Sequence, residues 1–241
     1  IRTRTGTPGA SDCAASEMRR FRSTQSSSSA SIRTTTSGAG FQWQKLVLVV
    51  LCMVLARSAA MAFNRYLDRD IDAANDRTKI REIPAGVISP RSALIFVLLN
   101  CAGFITATYF INWPCFLLSP VALAVVLGYS YTKRFTWFCH VVLGLGLSLA
   151  PVGAYLAVAG HFDWLPIILG LAVLLWVAGF DVIYALQDEG FDRSQGLYSM
   201  PSFFGKARAL KISEWMHLGT AVFIILATRM LLSAAPQTGW L

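Results

Sequence analysis

Beyond about residue 42 the chain alternates long uncharged runs with short charged connections. From Ser92 to Thr132 there are 41 consecutive residues without Asp, Glu, Lys or Arg, interrupted by Asn112-Trp113-Pro114. At about 20 residues per membrane crossing, this run predicts a helical hairpin of two spans with a tight turn. Residues 135–162 are again uncharged, and after the polar turn Gly160-His161-Phe162-Asp163 a further uncharged run continues to Phe180, which adds two spans. A weaker segment, Trp43 to Phe63, carries Lys45 and Arg57, and a last one from about Ile212 to Ala235 carries Arg229. The pattern predicts about six spans and an all-α, polytopic transmembrane helical bundle.

Composition agrees. The 241 residues are 55% apolar and 14% charged, with a mean hydropathy of +0.53, whereas soluble domains are about 25% charged. A soluble enzyme is thereby disfavoured. Residues 1–42 differ from the rest: 16 of the first 40 are Ser or Thr, and six Arg stand against Asp12 and Glu17. This Arg- and Ser-rich, acid-poor tail superficially matches an organelle transit peptide, but it starts with Ile1 and lacks an amphipathic pattern, so it reads as low-complexity disorder. The expected organisation is a tail over 1–42 and a transmembrane domain over 43–241.

The net charge of +8 divides into +4 in the tail and +4 in the remainder. The basic residues of the remainder sit in short clusters between greasy segments, which speaks against nucleic-acid binding. Cys52, Cys101, Cys115 and Cys139 lie in apolar runs without metal-ligand spacing and read as small buried hydrophobes. His140, His161 and His217 are scattered singly, and Glu214-x-x-His217 alone is a weak metal signal.

Basic residues set the orientation. The connection 65–91 holds Arg65, Arg69, Arg77, Lys79, Arg81 and Arg91; the next turn on that side holds Lys133 and Arg134; the third, 188–211, holds Arg193, Lys206, Arg208 and Lys211. The opposite turns hold none. These three loops are expected in the cytoplasm, on the inner face of the cell membrane. The Arg-rich tail would then lie outside, a conflict that an additional upstream helix would resolve.

Most acidic residues of the remainder fall in two of those loops. Asn64, Asp68 and Asp72 are spaced i, i+4, i+8 and form one stripe on a helix, which Asp76 continues if the helix lasts that far. Asp181, Tyr184, Asp188 and Asp192 form a second stripe. Stacked carboxylates repel one another unless a cation neutralises them, and hard oxygen ligands on facing helices suit Mg²⁺ completed by substrate phosphates. The plainer alternative is local pairing with Arg, such as Asp70 with Arg77 or Asp192 with Arg193. Two stripes rooted in apolar helices favour the metal-diphosphate site, since ionisable groups at the membrane edge are costly to keep. Arg57, seven residues before Asn64, is expected to face inward and meet an anionic part of a substrate. Lys133 serves equally as a membrane anchor or as a diphosphate ligand on spacing alone.

At these residues the chain resembles the UbiA superfamily of intramembrane aromatic prenyltransferases, in particular its 4-hydroxybenzoate polyprenyltransferase-like branch. The matching text runs from Ala56-Arg57 through Asn64-Arg-Tyr-Leu-Asp68-Arg-Asp-Ile-Asp72, then Arg81-Glu-Ile-Pro-Ala-Gly86, Tyr129-x-x-x-Lys133, and Asp181-Val-Ile-Tyr184-Ala-Leu-Gln-Asp188-Glu-Gly-Phe-Asp192. Ser199-Met-Pro201 with Gly205-Lys206 also resembles a loop of that family. The resemblance covers about residues 46–235 and departs at Arg65, where many members carry Asp after the Asn.

The resemblance implies nine transmembrane helices with a cytoplasmic cap, of which about six are present, one missing before Trp43 and two after Ala235. It implies a Mg²⁺ site at Asp68, Asp72, Asp188 and Asp192, with Asn64 in support, and a lipid-facing tunnel for the polyprenyl chain. The implied substrates are a polyprenyl diphosphate and an aromatic acid such as 4-hydroxybenzoate, in ubiquinone or menaquinone biosynthesis. Lys133 and Arg81 are expected on the diphosphate, and Arg57 or Arg134 on the acceptor carboxylate. Tyr129, Asp181 and Tyr184 are expected to line the substrate site. The rivals are a membrane phosphoalcohol transferase, which lacks its Asp-Gly and Ala-Arg pattern here, a divalent-cation transporter, and an inactive fragment.

Overall fold

The computed structural model describes residues 42–234. The expected tail and the last residues of the expected domain lie outside them. The described residues are helical throughout, without strands, in nine helices: α1 (Trp43–Leu67), α2 (Arg69–Ala74), α3 (Pro90–Ile111), α4 (Trp113–Thr132), α5 (Cys139–Ala159), α6 (Trp164–Ala185), α7 (Glu189–Ser194), α8 (Met200–Phe204) and α9 (Lys206–Ala234). Six of them, α1, α3, α4, α5, α6 and α9, are long and apolar enough to cross a membrane. They coincide with the six runs of the hydrophobic pattern.

Residue sizes are distributed as a bilayer demands. The buried positions of the spans are mostly small: Ala59, Ala93, Ala107, Ser119, Gly144, Ser148, Gly170, Ala172, Ala178, Gly179 and Ser213. Large residues such as Leu98, Leu99, Phe110, Leu117, Val121 and Trp176 point outward. In water this exposure would be prohibitive. In lipid, where burying Leu gains nothing, small residues let backbones approach and dispersion holds the helices together. The protein is a multi-pass membrane protein.

Two seams illustrate this packing. Gly144 of α5 lies so close to α6 that an added Cβ would sit 2.4 Å from the Leu174 carbonyl oxygen. Between α6 and α9, the Ser213 hydroxyl donates to the Gly179 carbonyl at 2.8 Å, and His217 packs against Gly179 while its Nδ1 lies 2.8 Å from the Ser213 carbonyl oxygen. Glu214 instead pairs with Lys211. Glu214 and His217 thus turn to different partners, Lys211 and the α6–α9 seam.

The two ends of the bundle differ. On one side the connections are short. Asn112 alone joins α3 to α4: its side-chain oxygen caps α4 by accepting from the Cys115 N–H at 2.9 Å, and its amide donates to the Leu156 and Ala157 carbonyls of α5 at 2.9 and 3.2 Å. Such a cap satisfies backbone groups that lipid cannot. Nearby, Gly160 ends α5 with φ of +75°, the left-handed closure that glycine adopts without strain. On the other side lie the long connections 68–89 and 186–205, containing the short helices α2, α7 and α8. The second is anchored by Met200, which is buried with Val182 and Ala209 among Trp137, Leu186 and Phe204.

Candidate active site

Both aspartate motifs emerge where a span ends. Helix α1 stops at Leu67, yet the Asp68 N–H donates to the Asn64 carbonyl and the Asp72 N–H to that of Asp68. The i, i+4 register therefore passes through the break, and the stripe Asn64, Asp68, Asp72 stays on one face. It does not reach Asp76, which is exposed and pairs with Lys79. Past the end of α6 the chain tightens, with Asp188 N–H donating to Ala185 three residues back, before Asp192 N–H donates to Asp188; Asp181, Tyr184 and Asp188 still share the cavity.

The two stripes face one cavity of about 240 Å³. Its lining includes Asn64, Asp68, Asp72, Arg81, Tyr129, Lys133, Arg134, Asp181, Tyr184 and Asp188. Ten of the twelve residues singled out from the sequence thus meet there. Asp192 is fully buried just outside the lining, held through Lys133. Arg57 departs from expectation: it is exposed and absent from the lining. The reason is geometric, because the cavity is confined to the loop end of α1, and two turns deeper the same helix faces outward.

Every motif aspartate has a cationic partner from another element or a distant turn. Arg81 Nη1 bridges both oxygens of Asp72 at 2.8 Å. Arg77 grips Asp188 with two nitrogens, Nε donating to Oδ1 at 3.0 Å and Nη2 to Oδ2. Arg134 donates to the Leu67 carbonyl at 2.8 Å and reaches Asp68 Oδ1 at 3.2 Å. Lys133 Nζ lies 2.7 Å from Asp192 Oδ1. The approach lacks the alignment of a hydrogen bond, and both Asp192 oxygens are without a donor. Asn64 Nδ2 donates to Asp68 Oδ2 at 3.1 Å. The local pairs weighed from the sequence do not form: Asp70 has a loose contact with Arg69, and Arg193 turns to Glu189.

Burial raises the Asp68 carboxyl above its ordinary value, with the Arg134 hydrogen bond and charge pulling the other way. The hydrogen bond that Arg77 donates to Asp188 holds its guanidinium above its own ordinary value. Arg77 also lies over the Tyr184 ring, 5.7 Å from its centroid.

Sequence reasoning missed His140, Asn75, Thr78 and the role of Arg77. Asn75 Nδ2 reaches Asp188 Oδ1 at 3.5 Å, and Thr78 Oγ1 donates to the Asp72 carbonyl at 3.2 Å. His140 lies at the start of α5, buried, with Nδ1 2.7 Å from Asp181 Oδ2. The signal was available, since an ionisable residue opening an uncharged span is a functional candidate by default.

Carboxylates and cations converging on one cavity at the membrane edge define a helical membrane protein whose site suits a ligand combining metal and phosphate character. The model of the UbiA prenyltransferase family matches residues 34–241. The chain belongs to that family. It is 36% identical over 169 residues to a 4-hydroxybenzoate octaprenyltransferase of Vesicomyosocius okutanii subsp. Calyptogena okutanii, a match covering 69% of this chain and 62% of that protein. A second 4-hydroxybenzoate octaprenyltransferase, from Ectopseudomonas mendocina, is 32% identical over 187 residues, covering 77% and 63%. The chain thus spans just under two thirds of the length of these curated relatives.

Among solved structures, the apo UbiA homologue of Aeropyrum pernix K1 superposes with a TM-score of 0.76 at 31% identity, covering 86% of this chain and 80% of that one. A UbiA homologue from Archaeoglobus fulgidus, bound to DMAPP and Mg²⁺, gives 0.66 at 26% identity, covering 81% and 69%.

Proposed function

We propose that this chain catalyses Mg²⁺-dependent transfer of a polyprenyl group from a polyprenyl diphosphate to an aromatic acid such as 4-hydroxybenzoate, in respiratory quinone biosynthesis. The observation that carries the reading is the single cavity shared by the two aspartate motifs and the Tyr129–Lys133 turn. The names of the curated relatives and the ligands of the Archaeoglobus fulgidus homologue support it.

The donor set fits Mg²⁺: the carboxylates of Asp68, Asp72 and Asp188 line the cavity, and Asp192, fully buried beside it, keeps both oxygens free of hydrogen-bond donors. Among the described residues no three acidic, His or Cys side chains already converge as a metal cluster. Each carboxylate is instead matched by Arg77, Arg81, Lys133 or Arg134. Asp68, Asp72, Asp188 and Asp192 would hold the ion, with Asn64 orienting Asp68. Bound there, Mg²⁺ supplies neutralisation of charge developing on the diphosphate.

The chain's own groups supply the rest. Lys133 and Arg81 donate charge-assisted hydrogen bonds to the diphosphate oxygens, stabilising the leaving group as the allylic C–O bond breaks. Ile71, Leu143, Phe191 and Leu197 on the wall keep water from the allylic cation. The ring carbon beside the phenol hydroxyl attacks, and loss of its proton restores aromaticity. Arg134 binds the acceptor carboxylate, and Tyr129, Tyr184 and Asp181 flank the ring. At about 240 Å³ the cavity accommodates reacting groups and not a polyprenyl tail, so the tail extends into the lipid-facing part of the bundle. The basic loops support a site on the cytoplasmic face of the inner membrane.

The test is mass spectrometry of products from membranes containing the chain, offered several aromatic acids and polyprenyl diphosphates with and without Mg²⁺. A C-prenylated aromatic acid formed only with Mg²⁺ is expected. Metal uptake into vesicles without any prenylated product would overturn the reading in favour of transport.

A further inference from the structure

His140 connects three elements that are remote in sequence. It sits at the second position of α5, nearly buried but lining the cavity. Its Nε2 accepts from the Met200 backbone N–H at 3.2 Å, and its Nδ1 lies 2.7 Å from Asp181 Oδ2 on α6. A nitrogen that accepts a hydrogen bond carries no proton. With Nε2 accepting from a backbone N–H, the proton that meets Asp181 is the one on Nδ1.

Asp181 differs from the other carboxylates of the cavity. It has no Arg or Lys partner among the described ion pairs, and its second oxygen accepts no hydrogen bond from the described residues. About a third of its side chain is exposed, towards the cavity it lines. It lies seven residues before Asp188, about 10 Å deeper along α6. A carboxylate without an Arg or Lys beside it offers a diphosphate no cation but accepts readily from a hydroxyl.

We propose that His140 is a positioning residue for acceptor recognition: its Nδ1–H fixes the Asp181 carboxylate so that the other oxygen receives the hydroxyl of the aromatic acceptor. Through Met200 the same ring ties this orientation to the 197–200 segment, whose Tyr198 N–H is bound to the Lys133 carbonyl at 2.8 Å. The acceptor's hydroxyl is thereby read at the deep wall of the cavity, while its carboxylate meets Arg134. This assignment rests on the prenyl-transfer reading.

Steady-state kinetics of the full chain in membranes tests it, with 4-hydroxybenzoate and a polyprenyl diphosphate varied separately for wild type, His140→Leu and His140→Asn. Loss of a hydrogen bond to a charged group predicts an acceptor KM raised about tenfold or more in His140→Leu, with the diphosphate KM within about twofold of wild type. Asn can offer an amide donor near the Nδ1 position, and His140→Asn is expected to recover most of the acceptor KM. An unchanged acceptor KM, an equal rise in both KM values, or no recovery by Asn overturns the proposal.

A second measurement needs neither turnover nor the variants' activity. In ¹⁵N-histidine-labelled protein, the His140 signal is expected as a neutral ring protonated on Nδ1, with its Nδ1 shift altered in Asp181→Ala. A charged ring, an Nε2-protonated ring or an indifferent shift overturns the link. Should wild type form no product with any acceptor, the prenyl-transfer reading fails, and the NMR result still decides whether His140 holds Asp181.

Discussion

Lys133 Nζ lies 2.7 Å from Oδ1 of Asp192, a carboxylate with no exposed surface. A lysine at the end of α4 thus neutralises the innermost member of the second aspartate motif, 59 residues away. Because neither Asp192 oxygen has a hydrogen-bond donor, the pair depends on charge and distance alone. Lys133→Ala leaves a buried, uncompensated carboxylate and is expected to cost about 3 kcal/mol. The double variant Lys133→Met/Asp192→Leu removes both charges and should recover much of that loss in thermal melts of the detergent-solubilised protein. Equal melting temperatures for wild type and Lys133→Ala would contradict the pairing.

Asp68 and Asp188 come from different motifs and line the same cavity. Asp68→Ala and Asp188→Ala are each expected to lower Mg²⁺-dependent prenylation at least about 100-fold, the scale on which losing stabilisation of a developing anion acts. Radiolabelled product formation in membranes at saturating substrate measures this. Near wild-type rates in both variants would remove the metal assignment.

The pH response should follow the environment of Asp68. Burial raises its pKa in the folded state, and Arg134 lowers it in part. A raised carboxyl pKa means that the folded protein holds this proton more tightly than the unfolded chain. Asp68 therefore costs stability at neutral pH, and that cost disappears as pH falls through the raised pKa. Protonation also removes a negative oxygen donor, so activity falls over the same window. Arg134→Ala takes away the lowering contribution and should move the acid limb of the kcat/KM profile to higher pH. An unmoved limb would assign it to another group.

Gly144 tests the packing. A Cβ there would lie 2.4 Å from the Leu174 carbonyl oxygen, an atom that cannot turn aside as a flexible side chain would. Gly144→Ala must push α5 from α6 and is expected to destabilise the bundle by about 1–3 kcal/mol, the usual scale of overpacking. Gly153→Ala, where nothing lies within 4 Å of the added carbon, is the matched control in the same helix. Equal melting of the two variants would refute the close approach.

The spans were legible because lipid tolerates no interruption of an apolar run, and the turn at Asn112 because only a capping residue and Pro114 break that run. The first aspartate stripe was legible because i, i+4 spacing carries through the helix break at Asp68, and the second because its tighter turn before Asp188 still leaves Asp181, Tyr184 and Asp188 on one cavity. Their partners were not. Arg77 meets Asp188 across 111 residues and Lys133 meets Asp192 across 59, separations that local pairing arguments such as Asp70 with Arg77 do not reach. Arg57 lies outside the lining because heptad spacing gives only a shared helix face, while the cavity ends before that depth. His140 was passed over because a single histidine in an apolar run has no spacing signature, and its importance lies in two long-range contacts.

The Asn112 clasp has a mechanical consequence. One amide joins the ends of α3, α4 and α5 at the far side of the bundle, while the motif aspartates from Asp68 to Asp192, with Arg77 and Arg81, lie on connections of about twenty residues at the other. The assembly is built like a bound book: the spine is sewn, and the pages part at the fore-edge. Any breathing that admits a substrate head should therefore grow towards the loops, and backbone hydrogen exchange should be slowest around Asn112 and fastest at residues 68–89 and 186–205.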